Sequence, residues 1–255
     1  MGTALITGAT SGIGKEFAWQ LAAEGNDLVI VARTESALND LAEKITNFTG
    51  QRVETLVADL GTESGARAVG MRAASVDKPI GLVVNNAGFG LGQDFLGGML
   101  DRELGALDVM VRAILVICHE AANAFAARGY GAILNVSSMT SLTAQGTYSA
   151  HKAWVRTFTE GLSETLKGTG VVATVSCPGL VHTDFHNRTN VDSSQWPEIA
   201  FTPVHKVVSR SLDAVRRGQV IITPSPKYTV AAGAIRMLPR WVVRKVAGPG
   251  RSGRQ

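Results

Sequence analysis

Residues 4–14 read Ala4-Leu5-Ile6-Thr7-Gly8-Ala9-Thr10-Ser11-Gly12-Ile13-Gly14, an apolar run that breaks into a glycine-rich turn and continues as a helical pattern. Glycines in such a turn let the chain reverse tightly, let backbone approach a pyrophosphate and let the helix pack closely on the strand. The helix N-terminus that follows offers free N–H groups and the positive end of its dipole, which suits a phosphate. The spacing is G-x-x-x-G-x-G, not the commoner G-x-G-x-x-G. A glycine-rich turn alone is a weak signal, and its place between the first strand and the first helix is what gives it weight.

The same alternation continues along the chain. After Ala4–Thr7, apolar runs at Leu28–Ala32, Val53–Ala58, Gly81–Asn85, Ala132–Val136, Val171–Ser176 and Val220–Ile222 are separated by helical patterns near 13–24, 34–48, 63–75, 101–128, 147–167 and 203–217. Strands that are apolar on both faces, separated by amphipathic helices, predict an α/β domain with a parallel sheet covered on both sides. The longest irregular piece, 182–202, is rich in His, Asn, Asp, Ser and Pro and reads as a lid.

Composition narrows the class. The chain has 255 residues, 45% of them hydrophobic, with 28 glycines and two cysteines. That length suits one large α/β domain, and the hydrophobic fraction excludes disorder. Net charge is +4, unevenly spread. Residues 1–213 carry 16 basic and all 21 acidic residues, net −5, whereas 214–255 carry nine basic residues and no acidic one. A mildly acidic body gives no reason to expect nucleic acid. Cys118 and Cys177 each lie in apolar runs and read as reduced core thiols of a cytoplasmic protein.

Several strand ends carry polar residues where ligands lie in open α/β sheets. The second run ends Val31-Ala32-Arg33-Thr34. An NAD site usually has Asp or Glu there to bind the ribose 2′-hydroxyl. Arg33 instead suits a 2′-phosphate, so NADP is expected in preference to NAD. Asp59 and Leu60 follow the third run, with Asp59 suited to accept from an adenine amino group. Asn86-Ala87-Gly88 follow the fourth, placed to pass beneath an adenosine.

The fifth run ends Asn135-Val136-Ser137-Ser138, and the next helix opens Tyr148-Ser149-Ala150-His151-Lys152. The i, i+4 spacing puts Tyr148 and Lys152 on one helical face. A lysine cation beside a phenol is expected to lower the phenol's pKa, so that it exchanges a proton with an alcohol or alkoxide. A nearby serine hydroxyl would hold the substrate oxygen.

Taken together, T-G-x-x-x-G-x-G at 7–14, N-N-A-G at 85–88, N-V-S-S at 135–138, Y-x-x-x-K at 148–152 and P-G at 178–179 resemble the short-chain dehydrogenase/reductase family, over about residues 1–225. The resemblance is to its broad bacterial branch. It implies a Rossmann-like doubly wound sheet in a single nucleotide-binding and catalytic domain, 1–225, with 226–255 as a basic amphipathic extension. It implies hydride transfer between NADP and a carbonyl or secondary alcohol. In this reading Tyr148 is the acid/base, Lys152 lowers its pKa and holds ribose hydroxyls, and Ser138 positions the carbonyl. Gly8, Thr10, Ser11, Gly12, Ile13 and Gly14 line the pyrophosphate. Pro178, Gly179, Val181 and Thr183 frame the nicotinamide. A homodimer or homotetramer built on helices 101–128 and 147–167 is implied as well.

Two departures from the family pattern stand out. Met110, in Val109-Met110-Val111-Arg112, occupies the place of an Asn that usually completes the proton relay; a thioether cannot replace an amide as donor and acceptor. The segment between Ser138 and Tyr148 is also shorter than is usual, which leaves Ser137 and Ser141 as substitutes for Ser138. These departures motivate an alternative, a catalytically weakened nucleotide-binding sensor or scaffold. No metal is needed, and His182-Thr183-Asp184-Phe185-His186 is not joined by a further ligand cluster. Phe89, Leu91, Met139, Leu142, Trp154 and Trp196 are candidates for an apolar substrate pocket. The tail 228–254 alternates apolar residues with Arg236, Arg240, Arg244 and Lys245 around Pro239, a pattern that suits an anionic membrane surface or packing on the body.

Overall fold

The computed structural model describes residues 2–182 and 196–248. Strand β1 (Thr3–Thr7) leads into helix α1 (Gly12–Ala23), and the alternation continues through β2 (Asp27–Ala32), α2 (Glu35–Thr49), β3 (Val53–Val57), α3 (Glu63–Ala73) and β4 (Leu82–Asn85). The long helical stretch after β4 is divided into α4 (Leu100–Leu107), a π turn (Asp108–Arg112) and α5 (Ala113–Arg128). Then come β5 (Gly131–Val136), a 3₁₀ turn (Met139–Leu142), α6 (Thr147–Thr165), β6 (Val171–Ser176), α7 (Val204–Arg216), β7 (Ile221–Ile222), α8 (Pro226–Met237) and α9 (Arg240–Val246).

The seven strands form one parallel sheet in the order β3-β2-β1-β4-β5-β6-β7. This is a Rossmann-like doubly wound sheet. Its order reverses between β1 and β4, and a crevice opens at the carboxyl ends of those strands, where ligands bind in such sheets. The strands are buried on both faces because alternate side chains enter two different cores. Leu5, Val29, Val31, Val83, Ile133 and Val175 face a core closed by α3, α5 and α6, whereas Ala4, Ile6, Leu28, Ile30, Val84 and Leu134 face one closed by α1, α2 and α7. Each fully buried Leu, Ile or Val contributes about 1.5–3 kcal/mol of apolar transfer, so continuous apolar runs are needed to hold both layers.

Element bounds lie within one or two residues of the sequence expectation, with one exception. The pattern over 101–128 predicts a single helix, but the π turn interrupts it. One extra residue in a turn rotates the helix face that follows by about 100°. Met110 thereby becomes fully buried toward α6, while Ile114, Ile117 and Cys118 face the sheet. Both cysteines are buried and free.

Candidate active site

At the crevice, Gly8 and Gly12 hold positive φ angles of 65° and 53° that an L side chain adopts only with strain. Gly14 is required for a different reason. A Cβ there would overlap the Gly8 carbonyl oxygen and the Asn86 side-chain nitrogen. Asn86 Nδ2 donates to the carbonyls of Thr7 (3.1 Å) and Gly8 (3.3 Å), and Thr7 Oγ1 accepts from the backbone N–H groups of Asn86 (3.0 Å) and Ala87 (3.1 Å). Asn86 therefore clamps the glycine turn to β4, a job that its strand-end position in the sequence does not reveal. The N–H groups of α1's first turn, at Gly12, Ile13 and Gly14, face the crevice without a side-chain cap from Ser11. That is an anion cradle, and the residues present fit a dinucleotide pyrophosphate.

Arg33 is exposed just beyond β2, and among the described residues it has no hydrogen-bonding or ionic partner. Asp59 is exposed at the end of β3, with Oδ1 accepting from Gly61 N–H at 2.9 Å, while Leu60 is buried beside it. Asp59 thus closes an Asx turn with one oxygen and leaves the other to solvent.

Chemistry-bearing groups gather at the ends of β5 and β6. Ser138 ends in extended backbone, its Oγ accepts from Thr140 N–H at 3.2 Å, and its hydroxyl lies beside the Tyr148 phenol, where it favours the phenolate. Met139 N–H donates to Pro178 O at 2.9 Å, which ties the serine turn to the Pro178-Gly179 turn. Ser137 is used differently, since its Oγ donates to the Lys152 carbonyl at 2.6 Å and anchors α6 to β5. That anchoring removes Ser137 as a substitute for Ser138.

Lys152 is 3% exposed, and its Nζ donates to Val136 O at 2.9 Å and lies 5.7 Å from the centre of the Tyr148 ring. Burial pushes its pKa down from 10.5 to about 8. Tyr148 as a residue is half-buried, but its phenol end is enclosed. Burial pushes the phenol above its ordinary value, and the Ser138 hydroxyl opposes that only in part. The expectation that Lys152 lowers the phenol's pKa is therefore corrected. The ammonium is turned toward a backbone carbonyl, and desolvation of the phenolate dominates.

Met110 packs with Leu91, Ala106, Phe89 and the Tyr148 ring. A side chain at Gly88 would press on both the Met110 sulfur and Lys152 Nζ, so this glycine packs directly against the Met110 and Lys152 side chains. Of the other pocket candidates, Met139 is buried beside Ser138, whereas Trp154 stacks on Phe158 at 4.7 Å and belongs to the core. His182 pairs with Glu198 at 3.0 Å and stacks on Phe201 at 3.8 Å. Val181 is buried, and Thr183, with Asp184 and His186, lies outside the described residues. Gly179 lies flat against the ring of Tyr228, a contact that no local sequence signal announces.

The family model for short chain dehydrogenase matches residues 2–194. The chain belongs to this family. Among relatives of this dehydrogenase, the 7beta-hydroxysteroid dehydrogenase of Collinsella aerofaciens is 34% identical over 171 residues, 66% of this chain and 64% of that protein. A short-chain dehydrogenase from Sphingobium yanoikuyae, solved in complex with NADPH, superposes with a TM-score of 0.84 at 29% identity, covering 92% of this chain and 94% of that one. The bulky-bulky ketone specific alcohol dehydrogenase from Comamonas testosteroni gives 0.79 at 26% identity, covering 94% and 96%. Our protein is accordingly an oxidoreductase acting on CH–OH and C=O groups, with a nicotinamide dinucleotide as cofactor. No described helix of this dehydrogenase is long and apolar enough to cross a membrane.

Proposed function

We propose that the enzyme uses NADP to interconvert a bulky, largely apolar ketone and its secondary alcohol. The observation that carries this reading is the Ser138 hydroxyl set beside the Tyr148 phenol, with buried Lys152 one turn along the same helix. When bound, the nicotinamide supplies or accepts a hydride at the carbonyl carbon. Ser138 Oγ donates to the carbonyl oxygen and holds it beside the phenol. Tyr148 Oη gives its proton to that oxygen as it becomes an alkoxide, and a phenol kept neutral by burial suits this direction. Lys152, its Nζ held on Val136 O, would hold ribose hydroxyls of the nucleotide.

For the nucleotide, Gly8, Thr10, Ser11, Gly12, Ile13 and Gly14 would hold the pyrophosphate, Arg33 the 2′-phosphate, and Asp59 with Leu60 the adenine. Asn86, Ala87 and Gly88 would support the adenosine, and Pro178, Gly179 and Val181 the nicotinamide. Phe89, Leu91, Met110 and Met139 give the site apolar walls, and the steroid and bulky-ketone specificities of two relatives support a substrate of that kind.

Tyr148→Phe is expected to lower kcat by about 10²–10⁴-fold on a panel of ketones, with NADPH binding, read by nicotinamide fluorescence, retained. Turnover equal to wild type would end the proposal. Arg33→Ala should weaken NADPH about tenfold or more, the worth of one charged hydrogen bond to phosphate, and leave NADH affinity as it was. Equal losses for both nucleotides would remove Arg33 from the 2′-phosphate site.

A further inference from the structure

Away from Ser138 and Tyr148, the N-termini of α7 and α8 meet at an open cleft of about 280 Å³, at the small end of the range for ligand sites. The residues that precede the two helices, Pro203 and Ser225, both line it, with Thr202, Lys206, Arg210 and Lys227. Neither helix has a side-chain cap, and neither carries an acidic residue in its first turn. Two positive dipole ends therefore open on one space. Thr202 is 6% exposed, and its buried Oγ1 has no hydrogen-bonding partner among the described residues. Lys227 Nζ gives two of its three protons to the carbonyls of Ile199 (2.6 Å) and Phe201 (2.8 Å). Lys206 and Arg210 are exposed, and among the described residues their side chains have neither a hydrogen-bonding nor an ionic partner. Other cations of this part of the chain are engaged. Arg216 pairs with Asp213 at 3.2 Å and with Glu24, and Arg240 Nη1 donates to Leu142 O at 3.1 Å.

We propose that this cleft binds the phosphate group of a small organic phosphate, at a site separate from those of the dinucleotide and the carbonyl. None of the residues assigned to the pyrophosphate or the nicotinamide lines it. Lys206 and Arg210 lie four residues apart on α7, so both cations stand on one helical face, toward the cleft. With Lys227 they make three positive charges, and among the described residues no acid lines the cleft to balance them. Like charges at this spacing repel each other, and an anion between them turns the repulsion into attraction. The donors present are a guanidinium, two ammoniums, a hydroxyl and the uncapped N–H groups of two helices. A phosphate offers several acceptor oxygens to such a set, and helix N-termini favour it in particular. A buried hydroxyl left unpaired is costly, and a ligand oxygen would complete Thr202. A second cleft shares Arg210 and Pro226 with the first and is walled by Ile222 and Val230, which gives the carbon body of the ester an apolar surface beside its phosphate.

The test uses the full-length protein with its dinucleotide site filled by saturating NADPH or NADH, so that added phosphate does not bind there. Inorganic phosphate and glycerol 3-phosphate are titrated by calorimetry. Co-sedimentation with phosphatidylcholine vesicles, with and without phosphatidic acid, is measured in parallel. The proteins are wild type, Lys206→Ala, Arg210→Ala, Thr202→Val and, as a charge control, Lys44→Ala on α2. Lys206→Ala and Arg210→Ala are each expected to weaken phosphate about tenfold, the worth of one charged hydrogen bond, with dinucleotide affinity unchanged. Thr202→Val removes the hydroxyl and keeps the shape, so it should weaken phosphate while the unfolding midpoint stays or rises. Binding of the free phosphates, lost in these variants, assigns a soluble phosphate ester. Binding confined to phosphatidic-acid vesicles, and lost in the same variants, assigns a lipid headgroup with the same chemistry. Wild-type protein that binds neither overturns the proposal, as does binding that any of the three variants leaves unmoved. An equal loss in Lys44→Ala overturns it too, because the attraction would then belong to net charge and not to the cleft.

Discussion

At the scale of single residues, the pair proposed to carry the chemistry is governed by desolvation. Tyr148 and Lys152 sit one turn apart on α6, close enough for the cation to face the ring. Yet each is pushed toward its neutral form, the phenol up and the lysine down to about 8. The consequence for stability has a definite sign. Below about pH 8 the lysine is protonated in folded and unfolded chains alike, and the cost of burying its charge is present in full. Above that, the unfolded chain keeps a proton that the folded one has shed, so stability rises with pH. Relative to Lys152→Met, the wild-type unfolding free energy should climb by on the order of 2–3 kcal/mol between pH 7 and 10, measured by urea titration. A flat difference would mean that Lys152 keeps its ordinary pKa. The residues of this cluster were legible from motif spacing. Their protonation was not, because it depends on how many atoms of distant segments surround them.

Between β4 and β5, the helical stretch shows how an element can be read correctly as helix and still be misread in detail. Periodicity over 101–128 is helical throughout, and only the π turn at Asp108–Arg112 changes which side of it faces α6. Met110 lies in that turn, enclosed by Leu91, Ala106, Phe89 and the Tyr148 ring. An amide at this position would be surrounded by carbon. Met110→Asn is therefore expected to destabilise the fold by about 1–3 kcal/mol and to bring no gain in turnover; a large rise in kcat would show instead that the relay is crippled by the thioether. Met110→Leu, nearly conserving volume, should cost less than about 1.5 kcal/mol. Deeper in the sheet, Asn85 Nδ2 donates to Asn135 Oδ1 at 2.9 Å and Asn135 Nδ2 to Thr159 Oγ1 at 2.9 Å. That buried chain joins β4, β5 and α6, and so fixes the strand that ends at Ser138 against the helix that begins with Tyr148. The motif residues Asn85 and Asn135 thus hold the site together without facing it.

Considered as a whole, the molecule divides into a sheet with two filled cores and a rim that still exposes apolar surface. Leu104, Leu107 and Leu115, on α4 and α5, are 46%, 41% and 46% exposed. A stripe of this kind on the helices implied for subunit pairing predicts a homo-oligomer, so sedimentation should give a dimer or tetramer and Leu115→Arg should shift it toward monomer. Monomeric wild-type protein at micromolar concentration would contradict this. The sequence by itself determined the layered α/β fold, because unbroken apolar runs are stable only when helices cover both faces of a strand. Local backbone chemistry likewise revealed the glycine turn, Arg33 at a strand end, and the Ser138, Tyr148 and Lys152 set, since each depends on spacing within one or two elements. Only the tertiary structure decided that Asn86 clamps the glycine turn, that Ser137 anchors α6, that burial sets both pKa values, and that the basic tail reaches Gly179 and Leu142. Those outcomes join residues far apart in the chain, and contact across such separations depends on how the layers pack, which no local pattern encodes.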